Sequence, residues 1–356
     1  MRQSKTVRIG NVIIGGENPI AVQSMTNTKT ADREATLKQI LALEEEGCDI
    51  VRFTVNTPEA AASIPYLREH ARIPLVADIH FDYKLALAAA DAGIHKIRIN
   101  PGNIGDEDRI RAVAKKCIEK NIPVRIGINS GSLEKHILAK YGAPTAEALC
   151  ESALEAAKQF ERYDFDNLVL SVKSSSVPVM IAANRMLAER CSYPLHLGVT
   201  ETGTAGIGSV KSAVGIGSLL VDGIGATVRV SLTADPVEEV RVAKDILAAC
   251  GKTAGIDLVS CPTCGRTEID LIRYAGELQD VIRSIRTDRR LTVALMGCVV
   301  NGPGEAREAD VGVAGGKGEA VLFRKGQLIR KIREDEIVPV LKEEILRLIS
   351  ERRAEE

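Results

Sequence analysis

From residue 20 to about 232 the chain repeats one pattern: a short apolar run, a polar or Gly-rich joint, then an amphipathic stretch rich in Ala, Leu and Glu. Short apolar runs bounded by turn residues read as strands, and apolar positions at three- and four-residue spacing read as helices. The strand runs are IAVQSM (20–25), DIVRFT (49–54), LVADIH (75–80), KIRIN (96–100), VRIGIN (124–129), NLVLSVK (167–173), LHLGVTE (195–201) and ATVRVSL (226–232). Their starts lie 21 to 43 residues apart, the separation of consecutive βα units in a parallel sheet. Eight units in about 230 residues predict a closed (β/α)8 barrel of the TIM type. No G-x-G-x-x-G follows the first strand to favour an open doubly wound sheet.

The helical half of the last unit ends near Cys250, and GKTAGIDLV reads as a connector. We therefore expect a barrel over 1–251 and a small α+β domain over 252–356. In the latter the pattern predicts a helix over 268–286, the strand LTVALMG, a Gly/Pro loop at 301–304, and short strands around DVGVAG and AVLFRKG. A charged amphipathic helix from about 335 to 352 closes the chain.

Alternate residues of a barrel strand face the interior. On that alternation Arg52 shares a face with Ile50 and Thr54; Lys96, Arg98 and Asn100 share one; so do Arg125, Gly127 and Asn129. Lys173 goes with Ser171, and Arg229 with Thr227 and Ser231. In a TIM barrel, side chains at the carboxyl ends of the strands build the active site. Asp78 and Glu201, and likewise His80 and His196, occupy comparable strand-end positions. Two acids do not neutralise five or six bases in a desolvated space, which points to a substrate carrying more than one phosphate. His70, His95 and His136 read as surface residues, and the Gly-rich TGTAGIGS (202–209) as a loop able to turn N–H groups toward a phosphate.

Composition narrows the partners. Of 356 residues 45% are apolar and 27% charged, and 47 Lys and Arg stand against 48 Asp and Glu. There is no bulk charge to hold a nucleic acid or an anionic membrane, and with no Trp, six Tyr and five Phe there are few platforms for stacking bases. The first residues lack a secretory apolar stretch, and no run approaches a membrane span, so a cytoplasmic protein is expected.

Eight cysteines in a reducing compartment are buried small residues, nucleophiles or metal ligands rather than a disulfide framework. Cys48, Cys117, Cys150, Cys191 and Cys250 lie in or just after predicted helices and read as packing residues. Cys261 and Cys264 form CPTCGR after one apolar run, and Cys298 lies in MGCVVNGPGEA after another. Three Cys and no His fall one ligand short of a structural zinc site. An iron-sulfur cluster with one differently coordinated iron suits the set best, with Glu305 the nearest oxygen donor. Zinc and a redox thiol pair stay open on spacing alone. So do a redox-neutral phosphate-ester isomerase or lyase carrying a structural metal module, and a metal-dependent regulatory protein.

CPTCGR, MGCVVNGPGEA and ADVGVAGG, preceded by QSMTNT, ADIHFDY, KIRINPGN, RIGINSGSL, SVKSS, LGVTE and RVSL, resemble the motifs of the 4-hydroxy-3-methylbut-2-enyl diphosphate synthase family. The resemblance runs from about residue 5 to 350 and is to its shorter bacterial two-domain form. It implies reductive ring opening and dehydration of 2-C-methyl-D-erythritol 2,4-cyclodiphosphate, in the methylerythritol phosphate route to isoprenoids. It implies a [4Fe-4S] cluster on Cys261, Cys264, Cys298 and Glu305, and flavodoxin or ferredoxin as electron donor. It also implies a homodimer in which the cluster domain of one chain covers the barrel of the other. On this resemblance Arg52, Arg98, Arg125, Lys173 and Ser231 grip the diphosphate, with Arg229 a lesser contributor. Glu201 is then the proton donor, His80 and Asn129 orient the substrate, and Asn301 lies beside the iron.

Overall fold

The structure, a computed structural model, describes residues 2–298 and 307–353. The chain divides into two compact units, Met1–Lys252 and Thr253–Glu356.

The first unit opens with an antiparallel hairpin, β1 (Val7–Ile9) and β2 (Val12–Ile14), which the strand pattern from residue 20 onward does not include. Gly10 makes its turn at φ 57°, in the left-handed region that glycine enters without strain. Val7, Ile9 and Ile14 are buried against Ala21, Ile50, Val76, Val169 and Ala226, which lie at or near the starts of barrel strands. The hairpin therefore floors the barrel.

Eight parallel strands follow: β3 (Ala21–Met25), β4 (Ile50–Val55), β5 (Leu75–Ile79), β6 (Lys96–Ile99), β7 (Val124–Asn129), β8 (Leu168–Lys173), β9 (His196–Leu197) and β10 (Thr227–Val228). They run side by side in the order β8-β7-β6-β5-β4-β3-β10-β9. A parallel bridge between Leu170 and Leu195, with the Leu170 N–H on the Pro194 carbonyl at 3.0 Å, joins the two ends. The predicted strands 195–201 and 226–232 shrink to two residues each. The reason is local: past Arg229 N–H, which still donates to Leu197 O at 2.9 Å, side chains take over the backbone groups. The Thr202 hydroxyl donates to the Ser231 carbonyl, and the Leu232 N–H donates to Glu239 Oε1 at 2.9 Å.

Around the strands lie α1 (Arg33–Glu46), α2 (Pro58–Ala62), α3 (Ile64–His70), α4 (Tyr83–Asp91), α5 (Pro101–Ile104) and α6 (Glu107–Lys120). They continue as α7 (Lys135–Tyr141), α8 (Ala146–Glu161), α9 (Val177–Arg190), α10 (Ala205–Val221) and α11 (Pro236–Ala249). Asp32, Asp82, Asp106, Thr145 and Asp235 each accept a backbone N–H at a helix start, a cap typically contributing about 1 kcal/mol. On α8 the buried positions Leu149, Ala153, Ala156, Ala157 and Phe160 follow the helical period, and their small members let the helix lie close on the sheet.

The second unit is a five-stranded sheet, β11 (Gly255–Ser260), β12 (Arg290–Met296), β13 (Val311–Gly315), β14 (Glu319–Arg324) and β15 (Gln327–Arg333), in that order. The first three strands are parallel and the last two antiparallel. Helices α12 (Leu271–Ser284) and α13 (Ile337–Arg353) share its core: Leu271, Tyr274, Leu278 and Ile282 pack in one cluster with Ile337, Leu341 and Ile345. Two expectations are corrected. Gly255–Ser260, read as a connector, is a strand, and Gln327–Arg333 adds an unexpected edge strand. The latter is mostly exposed and basic, a composition that blunts an open edge.

Candidate active site

At the carboxyl ends of the barrel strands a cavity of about 200 Å³ opens to solvent. Arg52 enters it from β4, Asp78 and His80 from β5 and its end, and Arg98 from β6. Arg125, Gly127 and Asn129 come from β7, Ser171 and Lys173 from β8, and Thr200 and Arg229 from the segments after β9 and β10. Strand alternation explains the set: Phe53, Ile97, Ile126 and Leu170, one position away, belong to the apolar core. Gly127 is required where Arg98 crosses its strand, because a Cβ there would stand 2.6 Å from Arg98 Nε. Gly198 is required for a similar reason, since its Cβ would meet the Arg229 carbonyl at 2.5 Å.

The electrostatics are one-sided. Arg52, Lys96, Arg98, Arg125 and Lys173 are all buried inside the barrel, with Arg229 half-buried beside them. Asp78 and Glu239 are the buried carboxylates among them. Asp78 accepts from Arg98 Nη1 at 3.0 Å, lies 3.7 Å from Arg52 Nε, and has His80 Nε2 at 3.4 Å. Burial opposes its charge, yet Arg52, His80 and Arg98 outweigh burial and hold the carboxyl far below the usual carboxylate range. Glu239, on α11, pairs with Arg229 Nη2 at 3.2 Å. Arg125 has only Gln23 Oε1, at 3.5 Å, and Lys96 Nζ has no hydrogen-bond partner among the described residues.

Burial first, and then neighbouring arginines, push the Lys173 and Lys96 amines well below the usual lysine value and bring the Arg52 guanidinium down to about 10. Burial likewise lowers His196, whose Nδ1 meets the Thr227 hydroxyl at 2.6 Å. Several guanidinium nitrogens, Nε of Arg52, Arg98, Arg125 and Arg229, have no hydrogen-bond partner among the described residues. A cavity with surplus buried cations and unused N–H donors is built for a multiply charged anion.

The structure brings together Arg52, His80, Arg98, Arg125, Asn129, Lys173 and Arg229. Arg229 is a full member, donating to Ser231 Oγ at 2.7 Å, so Ser231 stands at the same edge. Lys96 lies fully buried and outside the cavity lining. Glu201 is not among the buried cations: it is exposed beside Thr200, in the left-handed region at φ 55°. Phe81, next to His80, is also left-handed and 69% exposed. Non-glycine residues in that conformation are strained and cluster at functional sites. His95 is half-buried rather than at the surface, accepting the Leu75 N–H at 3.1 Å. Asn301 and Glu305 lie outside the described residues. Glu239 and Gln23 were missed; an acid on the apolar face of α11, in step with Pro236, Val240 and Ala243, is the signal for the first.

In the second unit, β11 and β12 are paired with Ser260 opposite Leu295, so Cys261 and Cys298 both follow the carboxyl ends of adjacent parallel strands. The Gly297 N–H donates to Cys261 Sγ at 3.2 Å, which places the two segments side by side. A hydrogen bond from the Arg266 backbone, aided by the side chains of Arg266 and Thr267, holds the exposed Cys264 thiol below its ordinary value. Among the described residues no three His, Cys, Asp or Glu side chains are grouped as ligands of a single metal ion. An amide N–H on ligand sulfur is a feature of iron-sulfur sites, and the thiolates of Cys261, Cys264 and Cys298 are donors that suit one, so these residues fit such a cluster.

No helix among the described residues is long and apolar enough to cross a membrane. Residues 4–244 match the GcpE TIM-barrel domain and residues 257–347 the GcpE protein C-terminal domain. A relative from Clostridium perfringens, named 4-hydroxy-3-methylbut-2-en-1-yl diphosphate synthase (flavodoxin), is 54% identical over 98% of both chains. One from Ruminiclostridium cellulolyticum with the same name is 53% identical over 98% of both. Among solved structures, dihydropteroate synthase from Stenotrophomonas maltophilia shares the fold, with a TM-score of 0.52 at 18% identity over 69% of this chain and 98% of that one. With both of its units matched and more than half of its residues shared with such relatives, the chain belongs to the GcpE family of 4-hydroxy-3-methylbut-2-en-1-yl diphosphate synthases.

Proposed function

We propose that the barrel cavity binds 2-C-methyl-D-erythritol 2,4-cyclodiphosphate through Arg52, Arg98, Arg125, Lys173, Arg229 and Ser231. The enzyme is an oxidoreductase that opens this ring and removes water, giving 4-hydroxy-3-methylbut-2-enyl diphosphate. The observation that carries the substrate class is the surplus of buried cations over carboxylates in one cavity.

The chemistry uses that surplus. Breaking the ring carbon to phosphate-oxygen bond turns a bridging oxygen into a terminal one, so negative charge grows on the diphosphate as the reaction proceeds. Cations fixed in a desolvated cavity stabilise that growing charge more than the ground state. His80 and Asn129, at the rim of the lining, orient the carbon skeleton. Glu201 donates the proton that lets the hydroxyl depart as water; its strained backbone beside Thr200 supports a placement serving function rather than packing.

Cys261, Cys264 and Cys298, with Glu305, would hold a [4Fe-4S] cluster, and Asn301 would lie beside it. When bound, the cluster supplies two electrons one at a time. A redox-neutral isomerase or lyase would use these thiols only to hold a structural metal and would turn over without a reductant. Reduced flavodoxin is the donor named for the relatives, and ferredoxin is the alternative. The eight cysteines are free thiols, which suits a cytoplasmic enzyme. A homodimer completes the proposal.

The test is anaerobic purification, with iron, sulfide and zinc counted per chain, followed by turnover of the cyclodiphosphate with and without reduced flavodoxin. Iron and sulfide in equal amounts with reductant-dependent product support the reading. Zinc without sulfide, or product formed without reductant, overturns it.

A further inference from the structure

The acid that binds the cavity together from outside is Glu239. It lies on the inward face of α11, 4% exposed, among Pro236, Val240, Ala243 and Leu247. A carboxylate in such a place is costly unless its oxygens are fully bonded. They are: both accept from Arg229 Nη2 at 3.2 Å, Oε1 also accepts the Leu232 N–H at 2.9 Å, and Oε2 accepts from the Ser24 hydroxyl at 3.3 Å. One side chain thus ties β3, α11 and the segment after β10 to each other. Arg229 in turn donates through Nη1 to Ser231 Oγ at 2.7 Å, and its buried Nε–H has no hydrogen-bond partner among the described residues.

Arg229 stands in the positive field shared with Arg52 and Lys173, and like charges in a desolvated space repel. Something must hold it at the cavity edge before an anion arrives. We propose that Glu239 is a positioning residue for diphosphate binding: it fixes Arg229, and through it Ser231, so that the Arg229 Nε–H and the Ser231 hydroxyl are presented to the substrate. This rests on the reading of the cavity as a diphosphate site.

The proposal has a sign that separates it from bulk electrostatics. Glu239→Gln removes one negative charge, so charge alone makes the cavity bind a diphosphate more tightly. Loss of positioning makes it bind more weakly, by about tenfold for charge-assisted hydrogen bonds. Calorimetric titration of the holoenzyme with the cyclodiphosphate is carried out for wild type, E239Q, R229M and the double variant, with thermal melts to verify folding. Weaker binding by E239Q, a double variant no weaker than R229M, and a fall in kcat/KM at least as large as the loss of binding support positioning. Unchanged or tighter binding by E239Q, or losses that add in the double variant, overturns it. Should E239Q not fold, E239D keeps the charge: weakened binding supports the proposal and unchanged binding overturns it. A wild-type enzyme that binds neither the cyclodiphosphate nor inorganic diphosphate overturns the substrate reading and positioning with it, whereas wild-type binding with an unimpaired variant overturns positioning alone.

Discussion

Asp78 and Arg98 are register partners on adjacent parallel strands, and the same pair is joined by a hydrogen bond of 3.0 Å from Arg98 Nη1 to Asp78 Oδ1. The bond is buried, and Arg52 leans on the other carboxylate oxygen at 3.7 Å. Asp78→Asn strips two buried guanidiniums of their counter-charge and is expected to cost about 3–5 kcal/mol in denaturant unfolding. The folded carboxyl titrates below its unfolded value of about 3.9. Its stabilisation is therefore complete above about pH 5 and fades as acid drives through the lower folded value. Unfolding followed from pH 7 downward should show a shallower acid limb in the variant.

Lys96 presents the opposite case, a base penalised by burial, with Arg125 and Arg52 adding to the penalty. Between its lowered folded value and the ordinary 10.5, the unfolded chain binds the extra proton, so stability climbs with pH. Lys96→Met should raise stability at pH 7 by about 1–4 kcal/mol, as apolar replacement of buried charge often does. Melting curves at pH 7 and above 10.5 check it: the gain should vanish at the higher pH.

Two glycines separate stability from binding. An alanine Cβ at Gly127 meets the movable tip of Arg98, whereas one at Gly198 meets the Arg229 backbone carbonyl. Gly127→Ala should keep the fold, with some stability lost as Arg98 shifts against Asp78, and weaken cyclodiphosphate binding by about tenfold through the displaced guanidinium. Gly198→Ala should instead lose about 1–3 kcal/mol of stability. Paired melts and titrations distinguish the two; equal effects on both readouts would sink the distinction.

Cys264→Ser should lower iron and sulfide per chain and abolish reductive turnover while leaving cyclodiphosphate binding by the barrel within about twofold of wild type. Mixing full-length C264S with full-length R125A tests the dimer: recovered turnover is expected if one chain's cluster serves the other's barrel. Two inactive proteins that stay inactive when mixed argue against it.

How much of this was visible in the residues alone depends on what period-two alternation carries. It gives the face: Arg52, Arg98, Arg125 and Lys173 point inward as alternation requires. Depth is not in the pattern, which is why Lys96 shares a face with Arg98 yet lies outside the cavity lining. The last two strands misled because Thr202 and Glu239, distant along the chain, replace ladder partners. Glu239 itself reads as an ordinary first-turn helix acid until its apolar neighbours Pro236, Val240 and Ala243 are placed on one face. The hairpin carries a Gly10-Asn11 turn signal, but strands of three residues are too short to show a period.

That hairpin has a kinetic consequence. With Ile9 and Ile14 fully buried against the strand starts, the hairpin closes the barrel end opposite the cavity among the described residues. On the proposed diphosphate site, the cyclic substrate and the linear product share one opening and the same arginines, so occupancy by one excludes the other. Product inhibition should therefore be competitive with the cyclodiphosphate, and it should weaken as added salt screens the cations.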